Sequence, residues 1–515
     1  MQKLSAYLFF YFIILFIAGS CPATASDFHG ETIYLIMVDR FYDGNPDNNP
    51  KGNIFSPDKS DWRLYHGGDV QGVIKKLPYI KELGCTAIWL TPVFDNTEEL
   101  YYYGDIKMAA YHGYWGRDFY SPNKYFTTEE EYRELVNKAH SMGIKIIFDF
   151  VMNHTSPVRQ GIDGAIFKDG KFIADYSNDP YMWFHHLGTI DFKNPDPSEW
   201  QDKNLYDLAD LNTENPEVRN YIIGAALKWL SFGIDAFRLD TVRHVPIEIN
   251  AEFVTKVKAA NPDVFIFGEW SNGGADVDGA VEYTQKTSVS LIDFSFTHNL
   301  RNTLCGGESF EKMKYVLGFD SRVPDPNLMV TCIDNHDMPR FISCAIESGK
   351  SIEEAKKLTN LAVYIMMTSR GIPCIYYGTE RYLHHGEKTA WGYGNDPYNR
   401  QDMFGWDEEN VLSRNIALLA GLRKKVSALS KGRQVVISAD QNTLVYERRC
   451  KDSTALIAVN KGEKITISME KITLPDGEYN SISGRHKKII GPSIMVSRGK
   501  TKVELDSYEA GIWIY

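Results

Sequence analysis

The sequence has no excess of positive charge, which a chain that binds nucleic acid needs. Its 515 residues include 56 lysines and arginines against 67 aspartates and glutamates, and the net charge is -11 at pH 7. A basic surface large enough to hold a phosphate backbone is therefore not expected, and no nucleic-acid partner is predicted. Aromatic residues make up 13% of the chain. Their rings are suited to stacking on a neutral ligand.

Cysteine is scarce and widely scattered, with seven residues in the whole chain. The close spacings typical of a disulfide scaffold or a zinc site do not occur. Apart from Cys21, we predict that most cysteines are buried free thiols, namely Cys85, Cys305, Cys332, Cys344, Cys374 and Cys450.

The chain also lacks an apolar run long enough for a transmembrane helix, which needs about 20 residues. The N-terminal run Leu4–Ala18 is shorter and is typical of a secretory signal. Cleavage after Ala25 makes residues 1–25 the signal peptide, whereas cleavage before Cys21, in a sequence that resembles a bacterial lipoprotein box, makes it residues 1–20. Both alternatives stay open. We expect an exported monomer that is secreted, periplasmic or lipid-anchored at a bacterial cell surface.

Apolar runs typical of strands alternate with segments of helical periodicity through most of the chain. One helical segment places Val218, Ile222 and Trp229 on a single face behind an Asn215-Pro216 cap. This alternation predicts an α/β fold, and eight strands with helices between them predict a (β/α)₈ TIM barrel. The eight runs are Thr32–Val38, Thr86–Leu90, Ile144–Met152, Ile234–Asp240, Val264–Glu269, Val289–Phe294, Leu328–Asp334 and Ile372–Tyr377.

Two regions depart from the barrel pattern. The connection after the third strand is abnormally long and rich in Gly, Asp, Asn and aromatic residues. We assign residues 26–153 and 215–428 to the barrel, and residues 154–214 to a domain inserted after strand 3. Short β-type runs with turns then predict a C-terminal antiparallel β-sandwich over residues 429–515. These runs are Thr443–Glu447, Thr454–Val459, Ile465–Met469, Ile494–Val496 and Trp513–Tyr515.

Charged residues stand where the predicted strands end, at the rim where barrels of this type carry their reactive groups. The fourth run places Arg238 and Asp240 on alternate positions, so both side chains lie on one strand face. The guanidinium keeps the carboxylate ionised, as a nucleophile requires. Glu269 ends the fifth strand, and Asp337 follows the seventh. Taken by itself, the fourth run has an alternative explanation, an Arg–Asp pair that only fills the barrel interior. Several acids at one rim are not explained in this way and indicate shared chemistry.

The strand-end motifs give the chain a resemblance to the α-amylase superfamily of retaining glycoside hydrolases, from Ile33 to Tyr515. The resemblance implies that Asp240 is the nucleophile, Glu269 the general acid/base and Asp337 a third carboxylate that orients sugar hydroxyls. Where the family usually has a lysine this chain has Arg243, which keeps the charge but changes hydrogen-bond geometry at an acceptor subsite. Further implied sugar contacts are Tyr114, His154, Arg238, His244 and His336.

The two carboxyls at strands 4 and 5 are also sufficient for glycoside hydrolysis with retention on chemical grounds. Retaining glycosidases need carboxyls about 5–5.5 Å apart, one to attack the anomeric carbon and one to protonate the leaving oxygen. Neighbouring strands lie about 4.8 Å apart, so Asp240 and Glu269 can reach this separation. The apolar Phe265-Ile266-Phe267 run before Glu269 predicts a raised pKa for its carboxyl, as an acid requires.

The resemblance also implies a structural Ca²⁺ held by Asn153, Asp210 and the backbone carbonyl of His244, between the inserted segment and the barrel. Hard oxygen ligands of this kind suit Ca²⁺. A second oxygen-rich cluster resembles an additional calcium site of cyclodextrin glucanotransferases, although an ordinary turn without an ion is an alternative explanation. Its candidate ligands are Asp43, Asn45, Asn48, Asn49, Gly67 and Asp69.

Other positions bear on the substrate. The segment Leu208–Asn212 resembles the form found in α-1,4-active members, so we expect a starch- or glycogen-like α-1,4-glucan or its oligosaccharides as substrate. Asp396 and Arg400 match residues that hold a donor sugar further from the cut. On geometry alone, a local ion pair between these two is an equally good explanation.

Two positions bear on whether water or a second sugar receives the cleaved glucan. Tyr206 matches the central aromatic residue of cyclodextrin glucanotransferases, whereas Ser271 falls where those enzymes place a phenylalanine. The chain also ends after one sandwich, without the further starch-binding domains usual in them. We therefore predict mainly hydrolytic, endo-type cleavage with transglycosylation as a side reaction. The alternatives are a cyclodextrin glucanotransferase or maltogenic transglycosylase and, less readily because the rim acids are intact, a catalytically silent glucan-binding protein.

Overall fold

The computed structural model of the protein describes residues 27–158, 164–389, 392–481 and 492–515. The predicted signal peptide, both cleavage sites and Cys21 lie outside these residues. Within the described part of the chain, no helix is both long and apolar enough to span a membrane. The six remaining cysteines are all free thiols, and four of them are buried.

Eight parallel strands form the barrel, and the (β/α)₈ prediction is confirmed. In sequence order they are numbered β1 to β8, and their order around the sheet is 6-5-4-3-2-1-8-7. The ends of this sheet meet through a parallel bridge between Ile292 and Val330, where the amide of Asp293 donates to the Val330 carbonyl at 2.8 Å. The strands are Ile33–Ile36, Ala87–Leu90, Lys145–Val151, Ala236–Asp240, Phe265–Gly268, Ser290–Leu291, Val330–Cys332 and Ile372–Tyr376.

The sixth strand is shorter than the run Val289–Phe294 that predicted it, and the reason is a helix cap. The side chain of Asp293 accepts a hydrogen bond from the amide of Phe296, so a helix begins at Phe294 instead of a longer strand. The residues on both sides of this cap are apolar, so the sequence pattern does not show where the strand ends and the helix begins.

Helices cover the outside of the barrel, and their caps follow the sequence. Asn215 caps the helix Pro216–Leu230, with proline at its first position, and Asp69 caps Val70–Glu82. Pro197–Gln201 lies instead in the long connection after β3, where its Trp200 lines the cleft. The other α-helices of the described residues are Val38–Phe41, Glu129–Ser141, Ile247–Ala260, Asp278–Thr287, Phe294–Leu304, Glu311–Leu317, Phe341–Glu347, Ile352–Thr368, Val411–Lys425 and Ser427–Lys431.

The long connection after β3 folds over the carboxyl-terminal end of the barrel. Its first strand, His154–Pro157, pairs antiparallel with Leu208–Asp210 near the end of the same connection. Its hairpin, Ile166–Lys168 with Lys171–Ala174, extends a sheet that the connection after β2 supplies. That connection contributes Phe94–Asn96 and Gly116–Pro122 to this sheet, and also the separate hairpin Tyr101–Tyr103 with Ile106–Met108.

The C-terminal region forms antiparallel sheets on either side of a small apolar core, which includes Val445, Leu456, Met469, Val503 and Trp513. The predicted sandwich is therefore present, and three of its strands, Arg433–Ala439, Gly477–Tyr479 and Lys500–Leu505, lie outside the predicted runs. One sheet has four strands, Arg433–Ala439, Thr443–Arg449, Thr454–Asn460 and Glu509–Ile514; the opposite pairs are Ile465–Glu470 with Lys500–Leu505 and Gly477–Tyr479 with Ile494–Val496.

Candidate active site

A cleft of about 960 Å³ opens at the carboxyl-terminal ends of the barrel strands. Its wall contains the three candidate catalytic acids and all candidate sugar contacts except Arg238, which lies beneath them with no exposed surface. The predicted residues in the wall are Tyr114, His154, Tyr206, Asp240, Arg243, His244, Glu269, His336, Asp337, Asp396 and Arg400.

Arg238 holds the acids at the bottom of the cleft. Its Nη1 donates to Asp240 Oδ1 at 2.6 Å, and its Nη2 donates to Glu269 Oε2 at 2.6 Å. The barrel register explains this arrangement, since Leu239 of β4 lies opposite Gly268 of β5, so that the next residue of each strand is an acid. Thr241 then takes a left-handed conformation with φ 45°, which turns the chain away directly after Asp240.

Asp149 is a member of this cluster that sequence reasoning did not assign. It lies opposite Arg238 in the β3–β4 register, and its Oδ1 accepts a hydrogen bond from Arg238 Nη1 at 2.8 Å. The other carboxylate oxygen accepts hydrogen bonds from Trp89 Nε1 at 2.8 Å and from the Tyr114 hydroxyl at 2.7 Å. The signal that could have found it is its position in strand 3, on the face that meets Arg238.

The environment of Glu269 favours its protonated form. Burial raises the pKa of Glu269 to about 8, and Asp240 and Asp337 add to this effect against the opposing charge of Arg238. The direction agrees with the one expected from the apolar run before it.

Asp337 has the opposite electrostatic setting. Desolvation by the surrounding protein would raise the pKa of its carboxyl, which is 46% exposed, but the charges of His336 and Arg400 outweigh it and hold the pKa below its usual range. His336 Nε2 lies 3.0 Å from Asp337 Oδ2, and Arg400 Nη2 lies 3.3 Å from Oδ1. Arg400 also contacts Asp396 at 3.1 Å, so the expected pair is one part of a chain of charges that reaches Asp337.

Two further side chains, Tyr114 and His154, line the cleft beside these acids. The ring of Tyr114 stacks on that of His336, with centroids 5.2 Å apart and 6° between the planes. His154 has a buried Nε2 with no hydrogen-bond partner in the described protein, and burial lowers its pKa. A neutral imidazole with one free nitrogen can exchange a hydrogen bond with a ligand hydroxyl.

Aromatic rings line the opposite end of the cleft. The guanidinium of Arg243 lies 3.7 Å from the centre of the Trp200 ring, and Nδ1 of His244 lies 3.0 Å from the Trp200 carbonyl oxygen. Tyr206 is 65% exposed and packs against Phe192, with centroids 5.3 Å apart. Trp200 and Phe192 were not predicted, although both lie in the aromatic-rich connection that was singled out.

The first oxygen-rich cluster joins the long connection to β3. The amide of Leu211 donates to the Asn153 carbonyl at 2.8 Å, which places Asp210 beside Asn153. Asp210 Oδ2 is bound by Nδ1 of His185 at 2.6 Å, while its Oδ1 is buried with no hydrogen-bond partner in the described protein. Burial raises the pKa of the Asp210 carboxyl to about 8. An uncompensated oxygen of this kind fits a hard cation.

The second cluster lies in the loop between β1 and the helix Val70–Glu82. Within the described residues, Oδ1 of Asp43, of Asn48 and of Asn49 is each buried and without a hydrogen-bond partner. A side chain at Gly67 would lie 2.4 Å from Asn49 Oδ1, so glycine is needed for this close approach. The donor set consists of oxygens alone, as Ca²⁺ prefers.

Asp69 and Asn45 serve the second cluster differently from the other predicted ligands. Asp69 accepts backbone N–H groups from Gly72, Gly44 and Asn45 at 2.6, 3.0 and 2.8 Å, respectively. Asn45 Oδ1 accepts a hydrogen bond from the backbone amide of Asp47. These side chains hold the loop in shape rather than offer a free oxygen.

Comparison with known proteins places the whole cleft in one family. The family described as alpha amylase, catalytic domain, matches residues 35–414. A cyclomaltodextrin glucanotransferase of Klebsiella oxytoca is 34% identical, over 96% of this chain and 79% of that protein. One of Niallia circulans is 37% identical over 89% of this chain, and the match spans 63% of that longer protein.

Solved structures agree. A cyclomaltodextrin glucanotransferase described as having a three-domain ABC distribution superposes with a TM-score of 0.86 at 37% identity, over 94% of this chain and 99% of that one. An alpha-amylase of Anoxybacillus gives a TM-score of 0.80 at 31% identity, over 95% and 98% of the two chains. The chain therefore belongs to the alpha-amylase family and is a glycoside hydrolase-type enzyme.

Proposed function

We propose that the protein cleaves α-1,4-glucosidic bonds of starch- or glycogen-like glucans with retention, through a covalent glycosyl-enzyme on Asp240. The observation that carries the proposal is the pair of carboxyls bound to one guanidinium, Asp240 and Glu269 on Arg238. Asp240 is also a side-chain hydrogen-bond partner of Glu269. Carboxyls in such contact favour retention, because inverting enzymes keep the carboxyls about 6.5–9.5 Å apart to admit a water molecule.

In the first step, neutral Glu269 gives its proton to the glycosidic oxygen while an Asp240 oxygen attacks the anomeric carbon. The bond from carbon to the leaving oxygen breaks as the bond to Asp240 forms. Glu269 is then a carboxylate, and Nη2 of Arg238 at 2.6 Å stabilises its charge. In the second step Glu269 takes a proton from water or a sugar hydroxyl, whose oxygen attacks the same carbon and releases Asp240.

The other cleft residues position the glucan. Asp337, held ionised by His336 and Arg400, accepts sugar hydroxyls at the cleavage point, and Tyr114 provides the stacking face. Asp396 and Arg400 hold the donor chain, while Arg243 and His244 face the acceptor. Asp149 is a positioning residue, because it fixes Arg238 and Tyr114 from below.

Water is the proposed main acceptor. Ser271 lines the cleft beside Glu269 and offers no ring for an acceptor sugar. Loss of such a stacking contact is worth about 0.5–1.5 kcal/mol by analogy with aromatic pairs, which favours water roughly three- to tenfold.

A second candidate, transfer to form cyclic glucans, is favoured by the exposed ring of Tyr206. The names of the relatives from Klebsiella oxytoca and Niallia circulans agree with it. The number of domains does not separate the candidates, because a glucanotransferase with a three-domain ABC distribution matches over 99% of its chain.

The test is chromatography of early digests of soluble starch, together with a reducing-sugar assay. Linear maltooligosaccharides with increasing reducing ends support hydrolysis, whereas cyclic α-1,4-glucans as principal product establish the second candidate. Binding of starch without any change in either measurement would identify a glucan-binding protein instead.

Calcium is the proposed structural cofactor at both oxygen-rich clusters. Asn153, Asp210 and the His244 carbonyl would hold one ion, and Asp43, Asn48 and Asn49 would hold the other. A bound Ca²⁺ neutralises buried oxygens and cross-links loops, and it takes no part in proton transfer. Support comes from the unpartnered buried oxygens of Asp210 and of the second cluster.

The proposal also includes export of the protein from the cytoplasm. The apolar run Leu4–Ala18 supports action outside the cytoplasm, with either a free N-terminus after Ala25 or a lipid on Cys21. Labelling with radioactive palmitate distinguishes the two. If a lipid is attached to Cys21, the label enters the wild-type protein but not Cys21→Ser, whereas a protein cleaved after Ala25 takes up no label.

A further inference from the structure

Three aromatic rings are packed together outside the cleft, on Trp62, His385 and Tyr398; we name this group the Trp62 platform. The rings of His385 and Tyr398 are parallel, with centroids 4.6 Å apart and 7° between the planes. Trp62 packs across both, with centroids 5.0 Å from His385 and 5.1 Å from Tyr398. All three residues are partly exposed. The result is a preformed aromatic surface that the catalytic mechanism does not use.

The platform is next to the end of the cleft that holds the donor sugars. Tyr398 stands two residues after Asp396 and two before Arg400, and both of these residues line the cleft. Trp62 is fixed to the barrel, because its carbonyl accepts a hydrogen bond at 2.8 Å from the buried guanidinium of Arg40. A chain that leaves the cleft past Asp396 therefore meets these rings.

A charged pair stands beside the platform in the chain. Asp61, adjacent to Trp62 in sequence, forms an ion pair with Lys107 at 3.3 Å, and both side chains are more than 30% exposed. Lys107 belongs to the hairpin whose residues Tyr103 and Met108 line the cleft. Aromatic faces with charged groups at their rim match a sugar ring, which has apolar C–H faces and hydroxyls around its edge.

We propose that the Trp62 platform is a further glucan-binding subsite, which holds glucose units of a chain that extends beyond the donor end of the cleft. The proposal rests on the proposed cleavage of α-1,4-glucans. Because the rings are already packed against one another, little side-chain freedom is lost when a sugar stacks on them. Only chains long enough to occupy the cleft and the platform together gain from this subsite.

The test compares long and short substrates in Trp62→Ala and Tyr398→Ala. We expect KM for long-chain amylose to rise roughly three- to tenfold, as for the loss of one stacking contact. The values of kcat, and both constants for maltotriose, stay unchanged. Trp62→Phe keeps a ring and restores most of the affinity for amylose. Tyr315→Ala is the matched control, since Tyr315 is 61% exposed on a helix beside the C-terminal sandwich.

An unchanged KM for amylose in both folded variants overturns the subsite and leaves the proposed function intact. An equal rise in KM for maltotriose also overturns it, because it shows general damage to the cleft. If the wild-type protein cleaves no α-glucan, the proposed function fails, and retardation in amylose-containing gels then tests the platform directly. Retardation that Trp62→Ala abolishes supports the subsite, and wild-type protein without retardation refutes it.

Discussion

The proposed reaction centre and the loop of the second oxygen-rich cluster differ in how they compensate buried oxygen atoms. At the centre, the guanidinium of Arg238 donates to the carboxylates of β3, β4 and the residue after β5. In the loop, the Oδ1 atoms of Asp43, Asn48 and Asn49 have no partner in the described protein. The chain therefore supplies its own counter-charge where we propose that the chemistry occurs, and leaves oxygens available where a cation is proposed. Damage to the first region should affect turnover, and damage to the second should affect stability.

The largest effect is expected from Asp240→Asn. Removal of the attacking oxygen's charge should lower kcat on starch by several orders of magnitude, because no glycosyl-enzyme forms. The amide keeps the shape of the side chain, so the melting temperature should stay close to that of the wild type. Asp47→Asn, at an exposed position of the loop, is the control and should leave kcat unchanged. A folded Asp240→Asn enzyme with near-normal turnover would refute the assignment.

The pH profile gives the second effect. Glu269 must be protonated to act, and its pKa is raised to about 8, so kcat/KM should fall tenfold per pH unit above about pH 8. Asp149→Asn removes one of the carboxylates that neutralise Arg238, so the positive charge of the guanidinium acts more strongly on Glu269. This lowers the pKa of Glu269 and should move the basic limb to lower pH. The exposed Asp169→Asn is the control, and a basic limb that does not move would contradict the role of Asp149.

Chelation tests the loop side of the comparison. Exhaustive EDTA treatment should lower the melting temperature, and added Ca²⁺ should restore it. An ion present at 100 times its dissociation constant contributes about 2.7 kcal/mol. Asp43→Ala should lose part of this calcium-dependent increase, whereas Asp47→Ala, which is exposed in the same loop, should keep all of it. A melting curve that EDTA leaves unchanged would count against both calcium sites.

The smallest effect is expected at the acceptor side, from Ser271→Phe. A ring beside Glu269 should favour a sugar acceptor over water and raise the transfer fraction roughly three- to tenfold. Total cleavage should change little, because the donor side is untouched. Product chromatography at low conversion measures the fraction, and Ser271→Ala controls for loss of the hydroxyl. An equal product ratio in the phenylalanine and alanine variants would show that stacking there does not determine the acceptor.

Much of the fold could be read from the sequence, because buried parallel strands are apolar runs of limited length. All eight barrel strands lie within the predicted runs, and the cap at Asn215 begins a helix as expected. The three C-terminal strands outside the prediction are partly exposed. Exposed strands mix polar and apolar residues, so their pattern is weaker than that of a core strand.

The sequence by itself determined which groups stand at the barrel rim, since Asp240 ends an apolar strand and Glu269 and Asp337 each follow one. Only the tertiary structure decided how these groups are connected. Asp149 meets Arg238 across 89 residues of chain, and the Trp62 platform joins loops more than 300 residues apart. Local periodicity reports which side of an element is buried, but it contains no information on which distant side chain lies opposite. Strand register and loop packing alone fix those contacts.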